Sequence, residues 1–239
     1  MKASTTANTV TGCGLFLFTR FPQPGHTKTR LIPSLGAVGA AILQRQMSEH
    51  LLRRFEQLSQ QLTLQVHFAG GTMGQMRKWL GEEHQLVCQC EGDLGDRLIF
   101  ALDQGFASGL QRIVVVGSDC PDLGTAEIMA ALTLLDSHDV VLGPATDGGY
   151  YLIGLNRVCQ PSFEPPSSEP LSFESLFRNI PWGTARVLET TKAIATRQDF
   201  SVALLNPLSD IDRPEDLLLW NTLSAAPAAH VRGANRGCQ

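Results

Sequence analysis

The chain has 239 residues, with 19 Lys and Arg against 23 Asp and Glu, for a formal net charge of −4. A compact chain of this length buries roughly 70–75% of its unfolded surface, so it needs no metal or disulfide to fold. With no basic run it is not expected to attach electrostatically to nucleic acid or an anionic membrane. No stretch approaches the ~20 apolar residues of a membrane span, and the first nine residues lack the apolar core of a signal peptide. A soluble, cytoplasmic protein is the expectation.

In chain order, the apolar run Cys13 to Phe18 reads as a buried first strand, followed by a turn-rich loop. Leu43, Met47, Leu51, Phe55 and Leu58 then recur at helical spacing. Leu62 to Phe68 alternates with the strand period, Met73 to Leu80 reads as a short helix, and Gln85 to Gln89 as a short strand. A helix marked by Leu94, Leu98, Leu102 and Phe106 leads into Arg112 to Val116, whose β-branched run suits a central parallel strand. A helix from about Thr125 to Leu135 and a strand from Asp139 to Leu142 follow.

Strands alternating with helices predict an α/β fold: a three-layer sandwich around a mainly parallel sheet. Residues 143–149, between Leu142 and the next strand Tyr150 to Leu155, are too few for a crossover helix, so an antiparallel excursion and a mixed sheet are expected. Residues 160–170, with four prolines and three serines, read as a surface loop. Helices are expected near Phe173 to Phe177, Ala185 to Thr196 and Pro214 to Trp220, with a last strand over Ser201 to Leu205. From about Asn221 the sequence loses periodicity, so 13–220 reads as one domain, with loosely ordered termini over 1–12 and 221–239. Of the six cysteines, Cys13, Cys88, Cys90, Cys120 and Cys159 lie in or beside apolar stretches and read as small buried hydrophobes, and Cys238 is in the tail. Cys88 and Cys90 beside His84 lack the usual Cys-x-x-Cys spacing and a second ligand pair, which argues against zinc.

Five segments can carry chemistry. Arg20 to Leu31 follows the first strand, where α/β sheets place ligands; Gly25 permits close backbone approach, and Lys28 and Arg30 offer cations to a diphosphate. Thr27 stands where a P-loop needs glycine, so the segment is not a P-loop. Asp119 ends the central strand and can hold Mg²⁺ or Mn²⁺, while Asp122 suits a turn or helix cap. Asp147-Gly148-Gly149-Tyr150 is either a site loop or a plain hairpin turn. Asp210 and Asp212 share a face if extended and can approach one ion, or one of them caps the last helix. Glu91 to Leu98, with Asp96 and Arg97, shapes a nucleotide pocket or simply begins a helix.

Together these segments resemble the bacterial DUF2064 group, glycosyltransferase-like proteins of the nucleotide-diphospho-sugar transferase superfamily with a GT-A type fold. The matching stretches are Phe18 to Leu35, Gly92 to Leu98, Val116 to Leu123, His138 to Leu155, Phe177 to Thr190 and Leu204 to Leu217, in the family's order. The family carries a label of arsenosugar biosynthesis. The chain is also similar to phospholactate guanylyltransferases, which share its Lys-Thr-Arg-Leu and Asp-x-Asp-x-Pro-Glu-Asp elements. The resemblance implies a cofactor of Mg²⁺ or Mn²⁺ held by Asp119 and Asp212. Arg20, Gly25, Lys28, Arg30, Asp96, Arg97 and Asp119 would contact the nucleotide and its phosphates. Gly148, Gly149, Tyr150 and Trp182 would face the sugar or acceptor, with Asp147 as the catalytic base. Two departures stand out: Arg20 replaces the family's usual Lys, and the 160–170 loop is longer than typical.

The leading expectation is a metal-dependent glycosyltransferase that uses a nucleotide-sugar donor and a small-molecule acceptor. A nucleotidyltransferase releasing pyrophosphate and a non-catalytic nucleotide-binding protein are the alternatives. Neither nucleic acid nor a membrane is expected as a partner.

Overall fold

The computed structural model describes residues 12–157 and 173–225. The elements are β1 (Cys13–Arg20), α1 (Ile32–Phe55), β2 (Thr63–Ala69), α2 (Met73–Leu80), β3 (Gln85–Cys88), α3 (Leu94–Ala107), β4 (Arg112–Gly117), α4 (Thr125–Leu134), β5 (Val140–Pro144), β6 (Tyr150–Asn156), α5 (Val187–Arg197), β7 (Val202–Leu204) and α6 (Leu217–Ala225). Short 3₁₀ turns at Thr29–Leu31, Glu174–Phe177 and Pro214–Asp216 join them. No described helix is long and apolar enough to cross a membrane.

The strands form a seven-stranded sheet in the order β3-β2-β1-β4-β6-β5-β7. All neighbours are parallel except β6, which pairs antiparallel with both β4 and β5. The expected excursion is therefore present, but β6 inserts between two strands that would otherwise be neighbours. From β1 the chain runs outward through β2 to β3, then returns to place β4 on β1's other side. Adjacent parallel strands whose connections leave in opposite directions open a crevice at their carboxyl ends. Here that crevice lies between Arg20 and Gly117.

Alternation along each strand divides the core between the two faces of the sheet. Leu15, Leu17, Val66, Val114 and Val116 pack with α1, α2 and α4. Phe16, Phe18, Ile113 and Val115 pack with α3, α5 and the Phe173–Phe177 turn. A third cluster joins Leu31, Leu43 and Met47 to Ile211, with Leu217, Leu219 and Trp220 packed against it. That cluster returns the C-terminal segment to the β1–α1 loop. α6 runs on to Ala225, past the point where sequence periodicity fades.

Cys13 and Cys120 are buried as expected, but Cys88 is exposed on the edge strand β3 and Cys90 is half-buried. Cys159, Cys238 and the 160–170 loop lie outside the described residues.

Among the polar residues of the core is a histidine. His67 is buried on β2, stacked 5.2 Å from Phe18, with Nε2 3.0 Å from Gln65 Oε1 and Nδ1 without a partner. Burial pushes its imidazole down to about 4 from the ordinary 6.5. Because the folded value lies below the unfolded one, the fold keeps its full stability above pH 6.5 and loses it as pH falls toward 4. The loss amounts to about 3 kcal/mol. In denaturant titrations between pH 7.5 and 4.5, His67→Leu is expected to show a shallower decline than the wild type.

Candidate functional site

Two compartments open at the carboxyl ends of the strands. The first, about 450 Å³, lies over β1, β2 and β4 and is lined by Thr19, Arg20, Lys28, Gln44, Arg97 and Asp119, among others. The second, about 360 Å³, is lined by Thr146, Asp147, Thr184, Asp210, Arg213 and Asp216. Arg30 and Asp212 line both, so one ion pair forms the partition.

The loop after β1 delivers the cations. Gly25 has φ 82°, and a Cβ there would meet nothing within 4 Å, so this glycine serves the turn rather than a close approach. Lys28 also adopts a left-handed conformation, φ 48° and ψ 44°, which costs a non-glycine residue about 1–2 kcal/mol. Its buried ammonium offsets that cost: Nζ lies 2.8 Å from Asp119 Oδ1 and donates to the Ile211 carbonyl at 2.5 Å. The Ile211 amide in turn donates to the Asp119 carbonyl at 2.9 Å. Arg30 pairs with Asp212.

Beneath the first compartment lies a buried polar network that the sequence reading missed. Gln44 Nε2 donates to Ser118 Oγ at 3.0 Å, Ser48 Oγ at 3.2 Å and Thr19 Oγ1 at 3.3 Å, and the Thr19 and Ser48 hydroxyls are hydrogen-bonded at 2.6 Å. Ser118 Oγ donates to Asp119 Oδ1 at 3.4 Å. The available signal was two polar residues four apart, Gln44 and Ser48, running beside the apolar stripe Leu43, Met47 and Leu51.

The second compartment gathers acids. Asp147 Oδ1 accepts from the Gly149 amide at 2.8 Å, and the turn is tied to the C-terminal segment by the Thr146 amide donating to Leu208 O at 3.0 Å. Burial raises the Asp210 carboxyl above the usual carboxylate range, reinforced by the charges of Asp147, Asp119 and Asp216. Asp210 has no cation partner among the described residues.

Other expected residues sit elsewhere. Asp96 lines neither compartment: it forms a capping box with Asp93 at the start of α3 and pairs with Arg178 at 2.5 Å. The Asp93 amide, then Arg178, hold its carboxyl below the usual range. Its neighbour Arg97 does line the first compartment, and the Arg97 Nε is buried without a partner. Gly148, Gly149, Tyr150 and Trp182 are not among the residues lining either cavity. Tyr150 packs edge-on to Trp182 at 6.3 Å, and its hydroxyl and the indole N–H are both buried.

The site fits a divalent cation only in part. No group of three or more His, Cys, Asp or Glu among the described residues forms a protein-only metal cage. Yet Asp119 and Asp212 both line the first compartment, and Asp210, which feels the charges of Asp147, Asp119 and Asp216, has no counter-ion among the described residues. One or two carboxylates completed by substrate phosphates is the arrangement that suits Mg²⁺.

A third hollow, about 740 Å³, lies between the Glu174–Phe177 turn and α5, but its Arg178 is already paired with Asp96 and Glu174.

Gly148 has φ 93°, and a Cβ there would sit 2.3 Å from Ala185 O. Gly148→Ala is therefore expected to lower stability by about 2–4 kcal/mol in equilibrium denaturation and to displace the Asp147 turn.

Residues 52–184 match the model of a family described as uncharacterized proteins conserved in bacteria, DUF2064. A crystal structure from Desulfovibrio desulfuricans, provisionally described as a nucleotide-diphospho-sugar transferase, is 31% identical, with a TM-score of 0.78 over 90% of this chain and 89% of that one. More distant likenesses share the fold alone. A nucleotidyl transferase from Methanothermobacter thermautotrophicus is 13% identical with a TM-score of 0.54, covering 89% of this chain and 97% of that one. A CMP:2-keto-3-deoxy-manno-octonic acid synthetase complexed with CTP is 11% identical with a TM-score of 0.53, covering 89% and 98%. No curated protein matches the chain.

Proposed function

Because the chain belongs to the DUF2064 family, and with the geometry above, we propose that it is a transferase acting on a nucleotide-activated donor, with glycosyl transfer from a nucleotide sugar to a small-molecule acceptor as the leading reaction. The observation that carries this reading is the meeting of Lys28 and Arg30 with Asp119 and Asp212 at the crevice between β1 and β4. Cations for a diphosphate and acids for its divalent cation stand side by side there. Asp119 and Asp212, with Asp210 adjacent, would hold Mg²⁺ or Mn²⁺, which when bound neutralises charge on the departing diphosphate.

The protein's own part is positioning and electrostatics. Arg20, Lys28, Arg30 and Arg97 bind the phosphates in the first compartment. The acceptor occupies the second, with its hydroxyl toward Asp147. As that oxygen bonds to the anomeric carbon, the bond from the sugar to the diphosphate breaks and the hydroxyl proton passes to Asp147. Asp147 Oδ1 is engaged by the Gly149 amide, which leaves Oδ2 to receive the proton. Gly148, Gly149, Tyr150 and Trp182 serve as the wall that fixes this geometry.

A second reading is nucleotidyl transfer, in which an acceptor phosphate attacks the α-phosphorus of a nucleoside triphosphate and pyrophosphate leaves. The likeness to a nucleotidyl transferase and to a CTP-bound synthetase favours it. Calorimetry against UDP-, GDP- and CDP-sugars with Mn²⁺ is expected to reveal one preferred donor, and Asp119→Asn to abolish the metal-dependent part. Pyrophosphate released from a triphosphate and a sugar phosphate would select the second reading. A folded sample that binds no nucleotide or nucleotide sugar would sink both.

A further inference from the structure

Two cysteines take no part in the chemistry proposed above, and the fold treats them unlike the others. Cys13 and Cys120 are packed inside the apolar core. Cys88 ends the edge strand β3 and is exposed, while Cys90, two residues on, is half-buried, and both are free thiols. Residues two apart on an extended chain point to the same side, so one reagent can reach both sulfurs. Their Cα atoms lie at most ~7 Å apart even where the chain is fully extended. A disulfide prefers about 5.5–6 Å, so a bridge between them requires about an ångström of contraction centred on Gln89.

That contraction has consequences. The Gln89 amide donates to the Phe68 carbonyl at 2.9 Å, and its side-chain Nε2 donates to the His67 carbonyl at 2.9 Å, both on β2. Gln89 also lines the first compartment, as do Ala69 and Arg97. On the other side, the Cys90 thiol donates at 3.5 Å to the carbonyl of Asp96, in the first turn of α3 and one residue before Arg97. Closing a bridge between Cys88 and Cys90 turns that thiol away from α3 and draws Gln89 off the edge of β2. The bridge and the intact wall are alternative arrangements of the same three residues.

We propose that Cys88 and Cys90 are a reversible oxidation site, closed to an internal disulfide by a small-molecule disulfide such as oxidised glutathione, and that closure withdraws Gln89 from the wall of the first compartment. The exposed Cys88 thiolate attacks one sulfur of the reagent. A Cys88–glutathione bond forms, the reagent's own S–S bond breaks, and one glutathione leaves with the electron pair and takes up the proton that Cys88 gave up. The Cys90 thiolate then attacks the Cys88 sulfur and expels the second glutathione in the same way. Two protein thiols are oxidised, and one small disulfide is reduced to two thiols. Because the bridge forfeits native hydrogen bonds and lies at the surface, it is readily reduced, as regulatory disulfides are and structural ones are not. The oxidation itself does not depend on the nucleotide reading, whereas its effect on binding rests on that reading.

Trypsin gives a direct reading, since residues 79–97, between Lys78 and Arg97, contain both cysteines and no other. After the full chain is incubated with oxidised glutathione, mass spectrometry is expected to find that peptide two hydrogens lighter and free of glutathione, and dithiothreitol to restore its mass. Cys90→Ser is expected to stop at the Cys88–glutathione adduct. Cys88→Ser is expected to react about tenfold more slowly, because its remaining thiol is half-buried. Native-state hydrogen exchange at the Gln89 amide should quicken about tenfold in the oxidised wild type and stay unchanged in Cys88→Ser. For whichever of UDP, GDP and CDP the reduced protein binds with Mn²⁺, calorimetry should show about fivefold weaker binding after oxidation, reversed by dithiothreitol and absent in Cys88→Ser. A peptide that stays unmodified, retains glutathione, or is linked to Cys159, Cys238 or a second chain overturns the pair. Oxidation that leaves Gln89 exchange or nucleotide binding unchanged overturns its coupling to the compartment. A folded, reduced protein that binds none of the three nucleotides sinks the nucleotide reading, while the oxidation site stands on the peptide mass and the exchange rate.

Discussion

A single ammonium group holds three distant parts of the chain in register. Lys28 Nζ contacts a carboxylate at the end of β4 and a carbonyl in the C-terminal segment while its backbone belongs to the loop after β1. Burying a lone ammonium is costly, and it becomes tolerable only when an opposite charge and further hydrogen-bond acceptors share the site. Lys28 has both, so the loop, the strand end and the C-terminal segment are each placed by the same requirement. Its left-handed backbone is part of that arrangement, since it turns the side chain inward at a position where a glycine would carry no side chain at all.

The rest of the site follows from where the sheet reverses its order of strands. Thr19 and Ser118 stand at the ends of neighbouring strands, and Gln44 from α1 bridges them from below. This buried network is satisfied internally and pins the segment that presents Asp119. On the far side of that strand end, His50 and Arg54 of α1 both reach the Pro121 carbonyl, at 3.1 Å each. The loop carrying Asp119 is therefore held from two directions, the rigidity that the metal-binding role proposed for this carboxylate requires.

Much of this was legible in the sequence, and the parts that were not share a cause. Lys28, Arg30, Asp119, Asp147 and Asp212 could be singled out because each follows a recognisable strand or precedes a helix. Asp210 could not be separated from Asp212, since alternation puts both on one face and only packing shows that one meets an arginine while the other is flanked by carboxylates. Asp96 looked like a ligand because a capping carboxylate and a binding carboxylate have the same sequence signature at a helix start. Tyr150 and Trp182 were expected to face the sugar or acceptor, yet their polar atoms are buried. A sequence names the aromatic ring but not the direction in which it is packed.

The succession of strands and helices along the chain and the mixed character of the sheet were legible in the sequence alone, because they depend on local periodicity and on the length of each connection. The insertion of β6 between β4 and β5, the pairing of each cation with a particular acid, and the continuation of α6 onto α1 were decided only by tertiary structure. These depend on contacts between residues far apart in the chain; Lys28 and Ile211 are 183 positions apart. The net charge of −4 conceals the same division: composition counts the acids and bases, while folding determines which of them neutralise one another and which remain for a ligand.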